Sequence, residues 1–556
     1  MKILISLILF FPSFIKADDL VMKAMEDELL RTVDKLKLEN FQKPYFVAYT
    51  VYDSSSCEIS ASFGDLESIN YDFLRFGKVD LRIGAKQFDN SNFVVDLNKN
   101  SPEFTYLPVE NDYDLIRQSL WRLTDDVYKK NLEIYSRKDA YRKKKEIKEN
   151  YGDLTDEAKT EYYDKEILSN FKCAEYKDII KKASAIFRKY SEIQSSNVKL
   201  NYENLKTRFV NSQGSKYSKN SEVISVIVQA TVQDKEGYKI YDSKNFVFGN
   251  SLEVEEDIIK EIDDYAKSLS LLYNANPIDY YIGPAIFKDE ASAQFFDRIF
   301  VRNISFYPPP ETENESWLKY YYDIPKLVDR IGKRISSGFI SVYDNPLIEK
   351  CGSKALIGSA AIDDEGVLTE RIDLVKDGFL KNIYSSRKPN KYSTNSNGHG
   401  RGSYNMNVYP FPNNVFITSS KTTSYEKILE KAFDMAREQK TDKVIVFEKL
   451  LSEYSSEDIL PGPLIAYFID INTGEKTYLT PLKFEGISLR ALRDIVITED
   501  KDYVYNFYEK GPFYNSDSIP VSIICPRSIL ISEIEVVKTD IKPEKKPYVP
   551  HPYFGK

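Results

Sequence analysis

Apolar and polar positions change period several times along this chain. Met22, Met25, Leu29, Val33 and Leu36 recur at helical spacing, which predicts an amphipathic helix over Val21 to Leu38. Pro44 follows its end. Tyr45 to Tyr52 then reads as a mostly apolar strand, Ser54-Ser55-Ser56 as a turn, and Ile59, Ala61 and Phe63 alternate on the next strand. Val79, Leu81 and Ile83 alternate again, followed by a strand from Phe93 to Leu97. Together these predict an antiparallel sheet with a helix laid on one face. Asp112 to about Asn150 reads as a long helix with Ile116, Leu120, Leu123 and Val127 on one side, and helical sequence continues to about Lys199. After Arg208 to Asn211 comes a turn at Ser212-Gln213-Gly214. Two long strands follow, Val223 to Val232 and Tyr238 to Phe248, joined by Asp234-Lys235-Glu236-Gly237. Ile258, Ile259, Ile262, Ala266 and Leu269 mark a further helix that Asn274 and Pro277 end.

The second half is mostly strand. Gly283 to Ile299, GPAIFKDEASAQFFDRI, begins as an apolar strand and turns into a helix carrying Asp289, Glu290 and Gln294. Phe339 to Tyr343 leads into Asp344-Asn345-Pro346. A hairpin is expected across Asp363-Asp364-Glu365-Gly366, and another turn at Lys376-Asp377-Gly378. A polar loop runs from Arg387 to Gly402. A helix over Tyr425 to Arg437 turns Ile428, Leu429, Ala432 and Met435 inward, and Leu464 to Ile471 is a strand ending at Asn472-Thr473-Gly474. The fold class expected is α+β. An N-terminal antiparallel sheet carries covering helices, and the C-terminal part is strand-rich.

Composition narrows the function classes. The chain has 556 residues and a net charge of −8, which argues against nucleic acid as its partner. The first residues carry Lys2, then an apolar run from Ile3 to Phe11, then Ala17 before Asp18. This is the plan of a secretory signal peptide, too short to span a bilayer, and it predicts an exported protein, periplasmic or secreted. No other segment reads as an integral membrane span. The expected division is 1–17 signal peptide, 18–275 N-terminal α+β domain with a helical insertion about 112–200, 276–538 C-terminal domain, and 539–556 a Pro- and Lys-rich tail. The four cysteines, Cys57, Cys173, Cys351 and Cys525, lie far apart, and spacing does not pair them.

Candidate chemistry is bounded by histidine. Only His399 and His551 occur in the sequence, and His551 lies in the tail. A conventional zinc centre needs two or three imidazoles, so no cofactor is expected. Asp363, Asp364 and Glu365 could hold a hard cation or simply form a turn. The loop Ser396-Asn397-Gly398-His399-Gly400-Arg401-Gly402 has glycine at alternate positions. It could cradle a carboxylate or phosphate on its N–H groups, with Asn397, Gly398, Gly400 and Arg401 as ligands and His399 moving a proton. It could equally be a surface loop. A Cys/His nucleophile using Cys351 or Cys525 lacks an orienting group.

The motif order resembles the exported branch of the TldD/PmbA family. The resemblance is carried by KAMEDELLRTVDKL, PYFVAYTVYD, VDLRIGAKQFDNSNF, RQSLWRLTDDVYK, FVNSQG, YYIGPAIFKDEASAQFF, AAIDDEGV, SNGHGRG, SLRALRDIVI and SEIEVVK. It implies a C-terminal domain of antiparallel strands that forms an open, barrel-like sheet, two-fold assembly around a shared cavity, and zinc-dependent cleavage of peptides by an HExxxH helix with a later Cys. In this sequence the first His position holds Asp289, the Glu position keeps Glu290 as a catalytic remnant, and the second His position holds Gln294. Cys525 falls in the region of the third ligand. The resemblance therefore implies a degenerate site on a peptide- or protein-binding subunit, as a homodimer or paired with another family member. Two alternatives stand beside it. One is a hydrolase built from Asp289, Glu290 and the His399/Arg401 loop; the other is an envelope-associated interaction protein.

Overall fold

A computed structural model describes residues 19–544, apart from 39, 97–101, 149–150, 166–170, 249–254, 317, 319–321, 323–324, 452–458 and 512–516, together with 553–554. The expected signal peptide and His551 lie outside the described residues.

The N-terminal half is built on long antiparallel strands. Helix α1 (Leu20–Lys35) starts where the Asp19 carboxylate accepts the Met22 N–H at 3.2 Å. Strands β1 (Pro44–Ser62) and β2 (Asp65–Ala85) form a hairpin whose turn is Phe63-Gly64, both at positive φ. The turn expected at Ser54-Ser55-Ser56 does not form. Those serines pair with Leu74, Phe73 and Asp72 on one side and with Leu205, Asn204 and Glu203 on the other, so ladder bonds on both edges keep the strand extended. Helix α2 (Tyr113–Lys145) is capped by Asp112. Beyond it, the expected helical run to Lys199 shrinks to α3 (Lys177–Ala185) with flanking 3-10 turns. Strand β3 (Ile193–Asn211) takes the last residues of that run, because Val198, Leu200 and Tyr202 alternate inward. Phe93 makes one bridge to Glu311 in place of the expected strand. Strands β4 (Lys216–Gln233) and β5 (Lys239–Phe248) complete the order β2-β1-β3-β4-β5, with every one of these neighbours antiparallel.

Period-two alternation gives this sheet two different faces. Val47, Tyr49 and Val51 of β1 pack with α1 and α2. Farther along the same strand, Cys57, Ile59 and Ala61 pack with α3 and α4 (Glu255–Leu271). The alternate residues Phe46 and Ala48 face Ile362 and Leu154. One face thus carries helices and the other receives a turn from the C-terminal half.

From residue 280 the chain runs through β6 (Tyr280–Lys288), α5 (Glu290–Ile299), β7 (Ile340–Asp344), β8 (Ile372–Lys376), β9 (Asn414–Ser419) and α6 (Tyr425–Glu438). Then come β10 (Lys443–Leu450), β11 (Pro463–Asp470), β12 (Ile495–Glu499), β13 (Asp502–Lys510), β14 (Ser518–Pro526) and β15 (Ser528–Lys538). They make two open sheets, ordered β8-β7-β9-β14-β13 and β12-β15-β6-β10-β11 with short strands at their edges. The molecule is a mixed α+β protein, and none of its sheets closes into a barrel. The hairpin expected at 363–366 is a tight turn closed by one bridge, Ile362 to Leu368. Helix α5 lies inside this half. Ala291, Ala293, Phe295, Phe296 and Ile299 are almost fully buried in a core shared with β6, β7, β10 and β14. No helix among the described residues is long and apolar enough to cross a membrane.

Candidate functional site

Strand β6 delivers the chain to α5 through Asp289, whose backbone sits at φ 53° and ψ −121°. A non-glycine residue held there stores strain and persists only where neighbours fix it. Arg527 does so: its carbonyl accepts the Asp289 N–H at 2.7 Å and its Nε donates to Asp289 Oδ1 at 2.6 Å. Glu290 follows as the first residue of the helix, 8% exposed. Opposite stands Lys449 of β10, its Nζ 3.6 Å from Glu290 Oε1 and 2.9 Å from Asp242 Oδ2 on β5. Burial works to strip the proton from this ammonium, but Glu290 and Asp242 beside it outweigh burial and raise its pKa. Gln294 accepts the Leu450 N–H at 2.8 Å and donates to the Leu450 carbonyl at 3.3 Å. Cys525 of β14 reaches the same helix, Sγ 3.8 Å from Ser292 Oγ, and burial pushes its thiol up to about 12.

The structure therefore brings Asp289, Glu290, Gln294 and Cys525 to one helix. A zinc ion would need a thiolate and deprotonated donors turned toward one point. Here the amide is spent on Leu450, Asp289 is spent on Arg527, and Glu290 faces an ammonium. These residues do not fit zinc. Among the described residues, no three His, Cys, Asp or Glu side chains converge as a metal site.

The glycine loop and the acidic turn, some thirty residues apart in sequence, meet directly. Asp363 Oδ2 accepts the Gly400 N–H at 3.1 Å, and Asp364 Oδ2 accepts the Gly402 N–H at 2.8 Å. Glu365 Oε2 accepts the Arg387 N–H at 2.6 Å. Amides that could have cradled an outside anion thus hold the chain's own carboxylates. The approach needs glycine: a Cβ at position 400 would lie 2.6 Å from Glu365 Oε2. Asn397 bonds Ser385 N–H and the Ile383 carbonyl, each at 3.0 Å. Arg401 Nη1 donates to the carbonyls of Pro412 and Pro520, at 3.2 and 2.8 Å. His399 is fully buried. Its Nδ1 lies 2.8 Å from the Asn397 carbonyl, so that nitrogen carries the proton, and Nε2 has no hydrogen-bond partner, 3.8 Å from Asp344 Oδ1.

Burial and the neighbouring Glu365 hold Asp363 up at about 8. Burial likewise raises Glu365. Asp364 goes the other way, because Lys219 at 2.6 Å outweighs its burial. His399 packs on Tyr384 and Asp344 while Glu290 packs on Lys449, so the two candidate centres have separate neighbours.

Two residues at these centres are not singled out by the sequence reading. Lys449 is one, and its signal is a lone buried cation just past the apolar run from Val444 to Phe447. Arg387 is the other, the first residue of the very loop in which Arg401 drew attention. Cysteine pairing is also settled by the fold: Cys57 of β1 is disulfide-bonded to Cys173, and Cys351 and Cys525 are free.

Comparison with known proteins agrees with this architecture. Residues 282–538 match the model of the PmbA/TldA metallopeptidase C-terminal domain. The metalloprotease PmbA of Escherichia coli O157:H7 is 32% identical over 83 residues, which spans 15% of this chain and 17% of that protein. Two solved structures share the fold over almost the whole chain. TldE of Thermococcus kodakarensis superposes with a TM-score of 0.59 at 16% identity, covering 93% of this chain and 100% of its own. A proposed modulator of a DNA gyrase from Thermotoga maritima does so with a TM-score of 0.60 at 15% identity and the same coverage. With the matched C-terminal domain, the short PmbA alignment and the shared fold in hand, the chain is a metallopeptidase-related member of the TldD/PmbA family.

Proposed function

We infer that this protein is an exported, non-catalytic member of its family that binds a peptide or a partner subunit. The observation that carries the reading is the Lys449 ammonium between Asp242 and Glu290. A glutamate acts as general base in a zinc peptidase on a metal-polarised water. Here Glu290 neutralises a buried lysine, and the flanking Asp289 and Gln294 are committed to Arg527 and Leu450. Export is supported by the plan of residues 1–17 and by the Cys57–Cys173 disulfide, a bond that persists in oxidising compartments. The competing hydrolase built from Asp289, Glu290 and the His399 loop has less support, since His399 and Arg401 serve the interior. A homodimer, or a heterodimer with a relative that retains HExxxH, is the assembly this reading favours.

The test is metal content and peptide cleavage of the purified mature chain. The expected result is zinc well below one ion per chain and no hydrolysis of short or unfolded peptides. Stoichiometric zinc together with hydrolysis that a chelator abolishes would overturn the reading.

A further inference from the structure

The face of the first sheet that carries no helices does not close fully onto the C-terminal half. Between them, with Val127, Lys130, Asn131 and Ile134 of α2 also on its walls, lies a cavity of about 460 Å³, within the range of roughly 300–1,000 Å³ that small-molecule sites occupy. Lys78 and Arg82 of β2, Asp364 and Glu365 of the acidic turn, and Arg387 and Lys388 of the glycine loop all line it. Phe46, Phe93, Phe209 and Tyr409 give it apolar walls.

Three of these six charges are paired. Arg82 meets Asp80 at 3.0 Å, Asp364 meets Lys219 at 2.6 Å, and Lys388 meets Asp153. Two cations are not. Lys78 Nζ donates to the backbone carbonyls of Ser403 and Met406, both at 2.9 Å. Arg387 donates through Nη2 to the Thr155 carbonyl at 2.7 Å and to Gln213 Oε1 at 2.6 Å. Its Nε has no partner, although the residue is 2% exposed. Among the described residues neither cation forms an ion pair with a carboxylate. On the same walls Ser91 Oγ and Asn92 Oδ1 also lack partners.

Asp364 acts on Lys78 and Glu365 on Arg387 from beyond contact distance, but unpartnered buried polar groups and buried cations without a contacting carboxylate are costly, and an anion with hydrogen-bonding capacity relieves both. A guanidinium matches a carboxylate in shape. A phosphate dianion suits the cavity poorly, because Asp364 and Glu365 stand on the same walls and would repel it. A monoanion that carries its own cation is accommodated by both signs at once. We propose that this cavity binds a small zwitterion of the amino-acid class, its carboxylate against Arg387 and Lys78 and its ammonium against Glu365, with an apolar side chain along the aromatic wall. The proposal is independent of the state of the α5 centre.

The experiment is a calorimetric titration of the whole mature chain with each of the common amino acids and with short dipeptides. The dipeptide arm tells a free amino acid from a peptide as the source of the zwitterion. At least one ligand is expected to bind saturably. Its carboxamide and its N-acetyl derivative should each bind at least about tenfold more weakly, as expected for loss of a charge-assisted contact. Arg387→Gln and Lys78→Met should weaken the parent ligand by a similar factor. Failure of every amino acid and dipeptide to bind overturns the proposal, as does a carboxamide that binds as well as its parent. Unchanged affinity in folded Arg387→Gln does the same. If either variant fails to fold, the comparison of parent and carboxamide on the wild-type chain still decides.

Discussion

Lys449 shows how one side chain can carry the argument about activity. It lies in a strand whose other buried residues are apolar, and its ammonium joins two acids that are 48 residues apart in sequence, Asp242 and Glu290. Removing one member of a buried ionic group leaves the others uncompensated and costs about 3–5 kcal/mol. Lys449→Met should therefore lower stability by about that amount in chemical denaturation. Adding Asp242→Leu and Glu290→Gln should recover most of the loss, and failure of that triple variant to recover would mean the lysine acts by packing alone. Asp363 offers a pH readout. Its folded value near 8 exceeds the ordinary 3.8 because it is buried beside Glu365, so the folded protein keeps a proton that the unfolded chain has lost. The resulting stabilisation is fully present below the ordinary value and is lost as pH rises toward about 8. Melting temperature should fall between pH 5 and 8 by something on the order of 5 °C from this group. Glu365→Gln keeps the acceptor for Arg387 N–H and removes the repelling charge, so it should flatten that slope. An identical slope in the variant would show that other groups set it.

At the scale of elements, the long strands and their covering helices are legible wherever the period is unmixed. Helix α2 starts at Asp112 as the apolar spacing predicts, because that spacing is local physics, and the Asp112 side chain caps it. The misreadings have local causes too. The three serines of β1 carry turn chemistry, yet partners on both edges override it. The helical reading runs on to Lys199, but from Ile193 the ladders to β4 and then β1 take the chain into the sheet. Two predictions belong here. Cys57 and Cys173 close a loop across 116 positions, and removing such a bond costs about 2–5 kcal/mol. Cys57→Ser should lose stability by that amount, and added reductant should then have little further effect on its melting curve. Gly398 sits at φ +71° with the Leu368 carbonyl 2.4 Å from where a Cβ would be. Gly398→Ala should cost more than the roughly 1 kcal/mol of backbone strain alone, since the carbonyl must also move. A variant of wild-type stability would show that the turn is softer than its packing suggests.

Across the whole molecule the two halves are not independent. Leu464 and Ile465 of β11 sit in the core that β1, β3 and β4 form with α3 and α4, and Lys449 reaches Asp242 on β5. The fragment 276–538 alone should therefore expose apolar surface, bind a hydrophobic dye and self-associate, whereas the whole chain does not. A monomeric, dye-silent fragment would contradict this. The end of the chain adds to the same contact: the Glu544 N–H donates to the Gly237 carbonyl at 3.2 Å, and Phe554 packs on the N-terminal core.

By itself the sequence determined the α+β class, the strand and helix faces, the family, and the absence of paired imidazoles around α5. Each of these depends on residue identity or short-range periodicity, which the chain carries wherever it folds. The tertiary structure decided which charge meets which. It placed an ammonium beside Glu290 and turned the glycine-loop amides onto Asp363 and Asp364. It also left Arg387, rather than Arg401, at the wall of a cavity. Those outcomes depend on partners between 37 and 232 positions away, and no local pattern encodes such distances.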